Sequence, residues 1–402
     1  MVLLDLDRFK EVNDTLGHHI GDALLRSIAD IVARALPADA AVARLGGDEF
    51  AAVLPGVHDA DEALAIATHL AQAIAVPVTL PDTVLSVHAS VGVTVSAPGH
   101  DASDLLRQAD TAMYAAKDTG VGVTVYTPDL DRGRAERLAL LGDLHVAIAE
   151  HRLTVAYQPK LDLVTGHVSG VEALVRWDHP TLGPISPEVF VTLAEANGLI
   201  GQLTQHVLFE ALRQCADWAA DGLRMSVAVN LSAQIVSNSL LPELIRTALQ
   251  TADVPAVDLV LEITESSVMA DPDRAVPVLE RIAATGVTLS LDDFGTGYSS
   301  LAYLRRLPVG EVKIDRSFIT GMVDDDDASQ VLVRAIINLA ASLGLRVVAE
   351  GAEDDQTVEL LRAMGCDTVQ GFAVSRPVSA AGITEFVRSR PVGSKTALRL
   401  VV

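Results

Sequence analysis

Two adjacent aspartates, Asp292 and Asp293, close the apolar run Val287-Thr288-Leu289-Ser290-Leu291 and lead through Phe294-Gly295-Thr296-Gly297 into Tyr298-Ser299-Ser300. Ionised carboxylates held side by side repel, and a divalent cation, or a pair of them, relieves that repulsion. An isolated Asp-Asp reads just as well as a solvated acidic turn. This pair is not isolated. Val168–Val171 runs into Glu172, and Met225–Val229 ends at Asn230. Leu259–Leu261 reaches Glu262 and Glu265, and Glu311-Val312 reaches Lys313. Arg346–Ala349 ends at Glu350, and Thr368-Val369 at Gln370.

The elements that must position these groups follow from the same pattern. Each run is short and rich in Val, Ile and Leu, as suits a strand buried on both faces. Amphipathic stretches separate them: 203–220, 273–284, 328–343 and 354–364. Strand–helix alternation over roughly 250 residues predicts a parallel, TIM-like β/α barrel. The carboxyl ends of its strands share one face, so these polar groups would meet in one pocket.

In combination, Glu172-Ala173-Leu174, Asn230-Leu231-Ser232, Glu262-Ile263-Thr264-Glu265, Asp292-Asp293-Phe294-Gly295, Lys313-Ile314-Asp315, Ala349-Glu350-Gly351 and Gln370-Gly371-Phe372 resemble the EAL family. That family comprises bacterial phosphodiesterases that open cyclic di-GMP to linear pGpG, and the likeness runs from about residue 135 to about residue 390. The chemistry agrees. Phosphodiester hydrolysis needs an in-line nucleophile and neutralised phosphoryl charge, which two divalent ions supply. Glu172, Asn230, Glu262 and Asp292 offer an all-oxygen set suited to Mg²⁺ or Mn²⁺, with Asp292 bridging to a second ion on Asp293. The resemblance implies the same ligands. Lys313, one of five lysines in the chain, would favour negative charge at the phosphoryl group, unless it lies at an edge and reaches solvent. Glu350 is the candidate general base, and Gln370 would orient water or a phosphate oxygen. Glu265 either caps the next helix or, as the resemblance implies, holds the 292–300 loop. Arg176 and Trp177 follow a strand end, one a candidate substrate contact and the other as readily core. His179 has no second histidine at metal-binding spacing and reads as a loop element. The resemblance further implies a homodimer through the barrel, near the 294–301 loop.

Residues 1–126 form a second unit. Val2–Leu6 is an apolar strand with carboxylates at its end, and a helix is expected over 23–35. Ala41 to Leu54 reads as strand, glycine turn and strand, a β-hairpin with Asp48 and Glu49 at its tip. With Asp5, Asn13 and Asp22, this Gly46-Gly47-Asp48-Glu49-Phe50 hairpin resembles the GGDEF family of diguanylate cyclases, an α/β fold with a central sheet. The resemblance assigns Asp5 and Asp48 to metal, Asn13 and Asp22 to the guanine edge, and Glu49 to the ribose hydroxyl. The backbone at 8–10 and Lys117 would hold phosphates. Three departures predict an inactive cyclase that keeps a residual GTP site. The chain starts inside the first strand, so the family's preceding segment and its covering helix are expected to be missing. Val121 stands where an arginine would clamp phosphate, and Pro37 and Ala40 occupy the product-inhibition positions.

Composition sets the bounds. A chain of 402 residues with 50% hydrophobic content supports two cores, here 1–126 and 151–392, joined by a linker and helix over 127–150. A net charge of −23 argues against sequence-independent nucleic-acid or anionic-membrane binding. Cys215 and Cys366 lack CxxC spacing and suit reduced thiols in a cytoplasmic protein. No apolar run reaches the roughly 20 residues of a bilayer span, although a missing N-terminal region could anchor the parent protein. Alternative readings are a cyclic di-GMP-binding module without catalysis, a bifunctional cyclase and phosphodiesterase, a net cyclase and an enolase-like Mg²⁺ barrel.

Overall fold

A computed structural model describes residues 1–57, 59–80, 83–296, 304–322 and 327–389. Residue contacts divide the chain into two compact units, Met1–Leu140 and Leu141–Val402.

The first unit is built on strands β1 (Val2–Leu6), β2 (Ala41–Gly46), β3 (Glu49–Val53), β4 (Val78–Leu80), β5 (Thr83–Leu85), β6 (Ala89–Val93) and β7 (Val123–Val125). Five form a sheet in the order β2-β3-β1-β6-β7, and β4 pairs with β5 apart from it. Every residue of β1 is buried, because helices cover both sheet faces. Val2, Leu4 and Leu6 pack with Leu24, Ile28, Leu70 and Ile74 of helices His18–Ala35 and Ala60–Ala75. Leu3 points the other way and joins Ala51, Ala109 and Met113, the last two from helix Ala102–Thr119. The β2–β3 hairpin forms as expected, and the Arg44 guanidinium donates to Gly47 O at 2.6 and 2.9 Å to brace its turn. The helix expected over 23–35 instead begins at His18, directly after a turn at Gly17 (φ 85°). Gly21 therefore lies inside the helix, where a Cβ would sit 2.0 Å from Asn13 Oδ1.

The second unit is a closed barrel. Its strands are β8 (Thr154–Asp162), β9 (Val168–His179), β10 (Gly183–Ile185), β11 (Ser226–Leu231), β12 (Leu259–Thr264), β13 (Thr288–Phe294), β14 (Glu311–Ile314), β15 (Arg346–Ala349) and β16 (Thr368–Val369). The order β9-β11-β12-β13-β14-β15-β16-β8 closes by pairing β8 with β9, and β10 folds back on the end of β9. Outward residues such as Leu259, Leu261 and Ile263 are fully buried under the surrounding helices, including Ile200–Ala220, Pro272–Ala283, Asp327–Leu343 and Asp355–Met364. Alternate residues point inward, and there the polar groups gather.

The barrel is not wholly parallel, which corrects the expectation. β8, absent from the predicted strands, runs antiparallel to both neighbours, β9 and β16. The cause is the connection: only five residues separate β8 from β9, too few for the crossover a parallel pair requires. Asp162 Oδ1 pins that turn, accepting from Val164 N, Thr165 N and Thr165 Oγ1 at 3.0, 2.6 and 2.8 Å.

Both cysteines are buried and free. Among the described residues no helix is long and apolar enough to cross a membrane. The predicted loop residues 297–301, the acidic run 324–326 and the predicted domain end at 390–392 lie outside the described residues.

Helix Ala102–Thr119 rides directly on β6 because Gly92 has no side chain. A Cβ there would lie 2.1 Å from Ala109 O and 2.2 Å from Met113 N. Gly92→Ala should cost about 1–3 kcal/mol, the usual range for overpacking. Hydrogen–deuterium exchange over 102–119 is expected to quicken. Unchanged protection there would contradict the packing described.

Candidate active site

Lys313 is the centre of the barrel cluster. It is the inward residue between Val312 and Ile314 on β14 and is 1% exposed. Its Nζ donates to Glu262 Oε2 at 2.8 Å and Asp292 Oδ2 at 3.0 Å, and pairs with Glu350 Oε1 at 2.6 Å. The edge-charge reading of Lys313 therefore falls. β12 supplies Glu262 and β13 supplies Asp292, while Glu350 follows β15, held where its N–H donates to Ile314 O at 3.1 Å. Glu172, on β9, accepts from Asn230 Nδ2 at 2.6 Å and from Gln370 Nε2 at 2.5 Å. Glu172, Glu262, Asp292, Lys313 and Gln370 are buried, while Asn230 is exposed.

The electrostatics follow from that burial. Desolvation alone would raise Glu262, but the Lys160 and Lys313 ammonium groups outweigh it and hold its carboxyl at about 2. Burial wins at Glu172 and Asp292, which are raised despite Lys313, and it pushes Glu350 up to about 8. Burial would lower Lys313, yet the surrounding carboxylates drive it well above the ordinary lysine value.

Asp293 does not join this cluster. Leu291 pairs with Val312 and Phe294 with Ile314, so two aspartates on β13 oppose the single Lys313 on β14. This β-bulge places Asp293 in the left-handed region (φ 55°). Partial burial and the Asp315 carboxylate raise its carboxyl.

Glu265 begins the helix Glu265–Met269, but Thr264 is the residue that caps it, accepting from Ser267 N. Glu265 is buried, and its Oε2 has no hydrogen-bond partner among the described residues. Trp177 is core, packed edge-on against His179 and Phe190 at 5.3 and 5.8 Å. His179 accepts at Nδ1 from Thr181 N and Leu182 N, and its Nε2 meets Asp143 at 3.1 Å, so it serves its loop. The Arg176 guanidinium, half-buried, donates to Val175 O.

Two interior groups escaped the sequence reading. Lys160 Nζ donates to Glu262 Oε1 at 2.5 Å, and Gln158 Oε1 accepts from Gln370 Nε2 at 3.0 Å. Both come from β8, where Pro159 between them reads as an interruption. The available signal was alternation, with Gln158, Lys160 and Asp162 interleaved with Tyr157, Pro159 and Leu161.

Among the described residues no three His, Cys, Asp or Glu side chains converge closely enough to hold a metal ion. Lysine ammonium groups stand between the carboxylates instead. The donor chemistry nevertheless suits a hard cation. Among the described residues, three buried carboxyl groups, Glu172, Glu262 and Asp292, and the partly buried Glu350 gather around the two ammonium groups of Lys160 and Lys313. Burial raises Glu172, Asp292 and Glu350, and the neighbouring carboxylates add to the rise. Every donor is oxygen apart from the Asn230 amide, whose O and N can exchange places by rotation.

In the first unit, Asp5 lies opposite Glu49 across β1 and β3, and Lys117 Nζ meets Asp5 Oδ1 at 2.5 Å. Partial burial raises Asp5 despite Lys117, with Asp48 and Asp7 adding to the rise. Asp48 sits in the hairpin turn, and Asn13 and Asp22 occupy successive helices, Phe9–Leu16 and His18–Ala35.

A barrel with carboxylates, an amide and a lysine gathered at its strand ends, after an α/β unit with a glycine-turn hairpin, defines a two-module class of protein. The EAL domain model matches residues 141–377, and the model of the diguanylate cyclase GGDEF domain matches residues 1–122. The chain belongs to the EAL domain family, with a GGDEF domain preceding its barrel. It is 41% identical over 383 residues to the bifunctional diguanylate cyclase/cyclic di-GMP phosphodiesterase MucR of Pseudomonas aeruginosa, covering 94% of this chain and 56% of that protein. It is 40% identical to the cyclic di-GMP phosphodiesterase NbdA of the same organism, covering 99% of this chain and 51% of the relative. The chain thus spans about half the length of these curated relatives. A solved structure, described as PaMucR phosphodiesterase in a c-di-GMP complex, is 44% identical with a TM-score of 0.58, covering 61% of this chain and 99% of that one.

Lys313→Met should lower the stability of chelator-treated protein by about 3–5 kcal/mol, since it leaves Asp292 and Glu350 without their cation and Glu262 with Lys160 alone. Added Mn²⁺ should recover more of that loss than it adds to the wild type. Urea unfolding with and without Mn²⁺ measures both, and a variant as stable as wild type in chelator would remove Lys313 from its central place.

Proposed function

We propose that the barrel hydrolyses cyclic di-GMP to linear pGpG in a metal-dependent reaction. The observation that carries this reading is the convergence of Glu172, Asn230, Glu262, Asp292, Lys313, Glu350 and Gln370 on the barrel interior and its mouth. The likeness to a phosphodiesterase solved with c-di-GMP supports it. Glu172, Asn230, Glu262 and Asp292 would hold Mg²⁺ or Mn²⁺, and Asp293 would contribute to a second ion. When bound, such ions polarise the phosphoryl oxygens and make water more acidic.

The chain's own groups take the remaining tasks. Glu350 accepts the proton of the attacking water as its oxygen bonds to phosphorus, and as the P–O3′ bond breaks the leaving O3′ takes a proton from solvent to become the 3′-hydroxyl. The Lys313 ammonium faces the negative charge that develops on the phosphoryl oxygens. Gln370 fixes Glu172 through its amide N–H groups, and its Oε1, unpartnered among the described residues, is free to orient water. Glu265 would hold the loop that follows Asp293. A homodimer through the barrel, near residues 294–301, fits the resemblance, and the two buried thiols suit a reducing cytoplasm.

For the first unit the reading is GTP binding without synthesis. Asp5, Asn13, Asp22, Asp48, Glu49 and Lys117 are retained, but Val121, 70% exposed, cannot pair with phosphate.

Purified chain incubated with cyclic di-GMP and Mg²⁺ should yield pGpG by chromatography, and Glu172→Ala or Asp292→Ala should abolish it. Full activity in either variant would refute the site. Glu350→Gln should cut turnover by about 10²–10⁴ while calorimetric affinity for cyclic di-GMP stays within a few-fold. Loss of binding alongside turnover would instead make Glu350 a ligand or an anchor. Separately, the Glu172→Ala chain given GTP and Mg²⁺ should make no cyclic di-GMP, and any synthesis would overturn the reading of the first unit.

A further inference from the structure

β8 sends a second buried lysine into the barrel. Lys160 is 5% exposed and donates to Glu262 Oε1 at 2.5 Å. β8 pairs with β9 and β16, whereas Glu262 stands on β12, so the Lys160 side chain reaches across the interior rather than to a strand neighbour. The two oxygens of Glu262 are thereby divided between two cations. Oε1 belongs to Lys160, and Oε2 faces Lys313 in the cluster that also holds Asp292 and Glu350. Behind Lys160, Glu311 Oε1 lies 4.0 Å away, and Glu311 is in turn paired with Arg346 at 3.3 Å. Charges alternate along this line from the site to the amino-terminal end of β15.

We infer that Lys160 is the positioning residue for Glu262, locking its carboxylate so that Oε2 is presented to the divalent cation site. The assignment rests on the proposal that Glu262 is a metal ligand. Stability alone does not call for this pair, because both partners together are often replaceable by apolar residues without loss. The geometry fits an outer partner: Oε1 is tied down by Lys160, and Oε2 is turned to Lys313 and the cluster around it. Partners of this kind typically carry 10–100-fold in metal affinity.

The test measures Mn²⁺ binding to the full chain, by the electron paramagnetic resonance of free Mn²⁺, with no substrate present. Lys160→Met should weaken Mn²⁺ affinity by about 10–100-fold. Removing a positive charge for purely electrostatic reasons would tighten binding instead, so equal or tighter binding in Lys160→Met overturns the inference. Lys160→Gln keeps an N–H donor but is shorter, and should fall between wild type and Lys160→Met. If Lys160→Met does not fold by circular dichroism, Lys160→Gln decides: affinity weakened about threefold or more supports the assignment, and unchanged affinity refutes it. Glu262→Gln is measured alongside. If it loses Mn²⁺ binding while the Lys160 variants retain theirs, only the role of Lys160 fails. If Glu262→Gln binds Mn²⁺ as wild type does, the ligand assignment fails and the positioning role falls with it.

Discussion

The buried ammonium of Lys313 is the constraint on which the barrel's interior depends. A lone lysine in an apolar barrel would cost several kcal/mol or lose its proton. Here it is met by carboxylates from β12, β13 and the end of β15, within 2.6–3.0 Å. Such distances demand one register among four strands. The parallel pairings of Glu262 with Ser290, Ser290 with Glu311, and Lys313 with Val348 supply it. The bulge at Asp292–Asp293 then turns one aspartate toward the ammonium and the other away. A single ion-pair cluster thus ties together strand stagger, local distortion and the chemistry at the mouth.

Much of the architecture was legible in the sequence because two requirements coincide there. Strands buried on both faces must be short and apolar, and strands that carry a site must end in polar groups. Runs such as Leu259–Leu261 before Glu262 satisfy both. β8 satisfies neither, since its polar residues Gln158 and Lys160 lie within the strand, interleaved with a proline. Its reversed direction follows from a short turn that strand–helix alternation does not announce. The bulge escaped for another reason: the register between β13 and β14 sets it, and register is invisible in one strand alone. The helix starting at His18 was read too late because Gly21 looks like a terminator. In the fold it is the residue that admits the Asn13 side chain.

The two units use the same device at different strengths. Lys117 meets Asp5 in the first as Lys313 meets Glu262 in the second. However, Lys117 is half-exposed, and water weakens such a pair. In the barrel most of the cluster is buried: the two ammonium groups hold Glu262 low, while burial, with the neighbouring carboxylates adding to it, raises Glu350. A half-solvated pair can release its lysine cheaply to a phosphate. The barrel's lysine is part of the scaffold.

The short turn that Asp162 pins between β8 and β9 has an implication for which lengths of chain this barrel tolerates. Surface turns usually accept insertions, since lengthening a loop costs little entropy. This one sets the pairing of an entire strand, and side chains on a strand alternate with a period of two. One residue added or removed, if absorbed by sliding β8, would turn Gln158 and Lys160 outward beneath the helices. Tyr157, Pro159 and Leu161 would face the carboxylates instead. An exposed turn therefore governs the polarity of the barrel's interior, and its length is as constrained as the identity of any residue in the site.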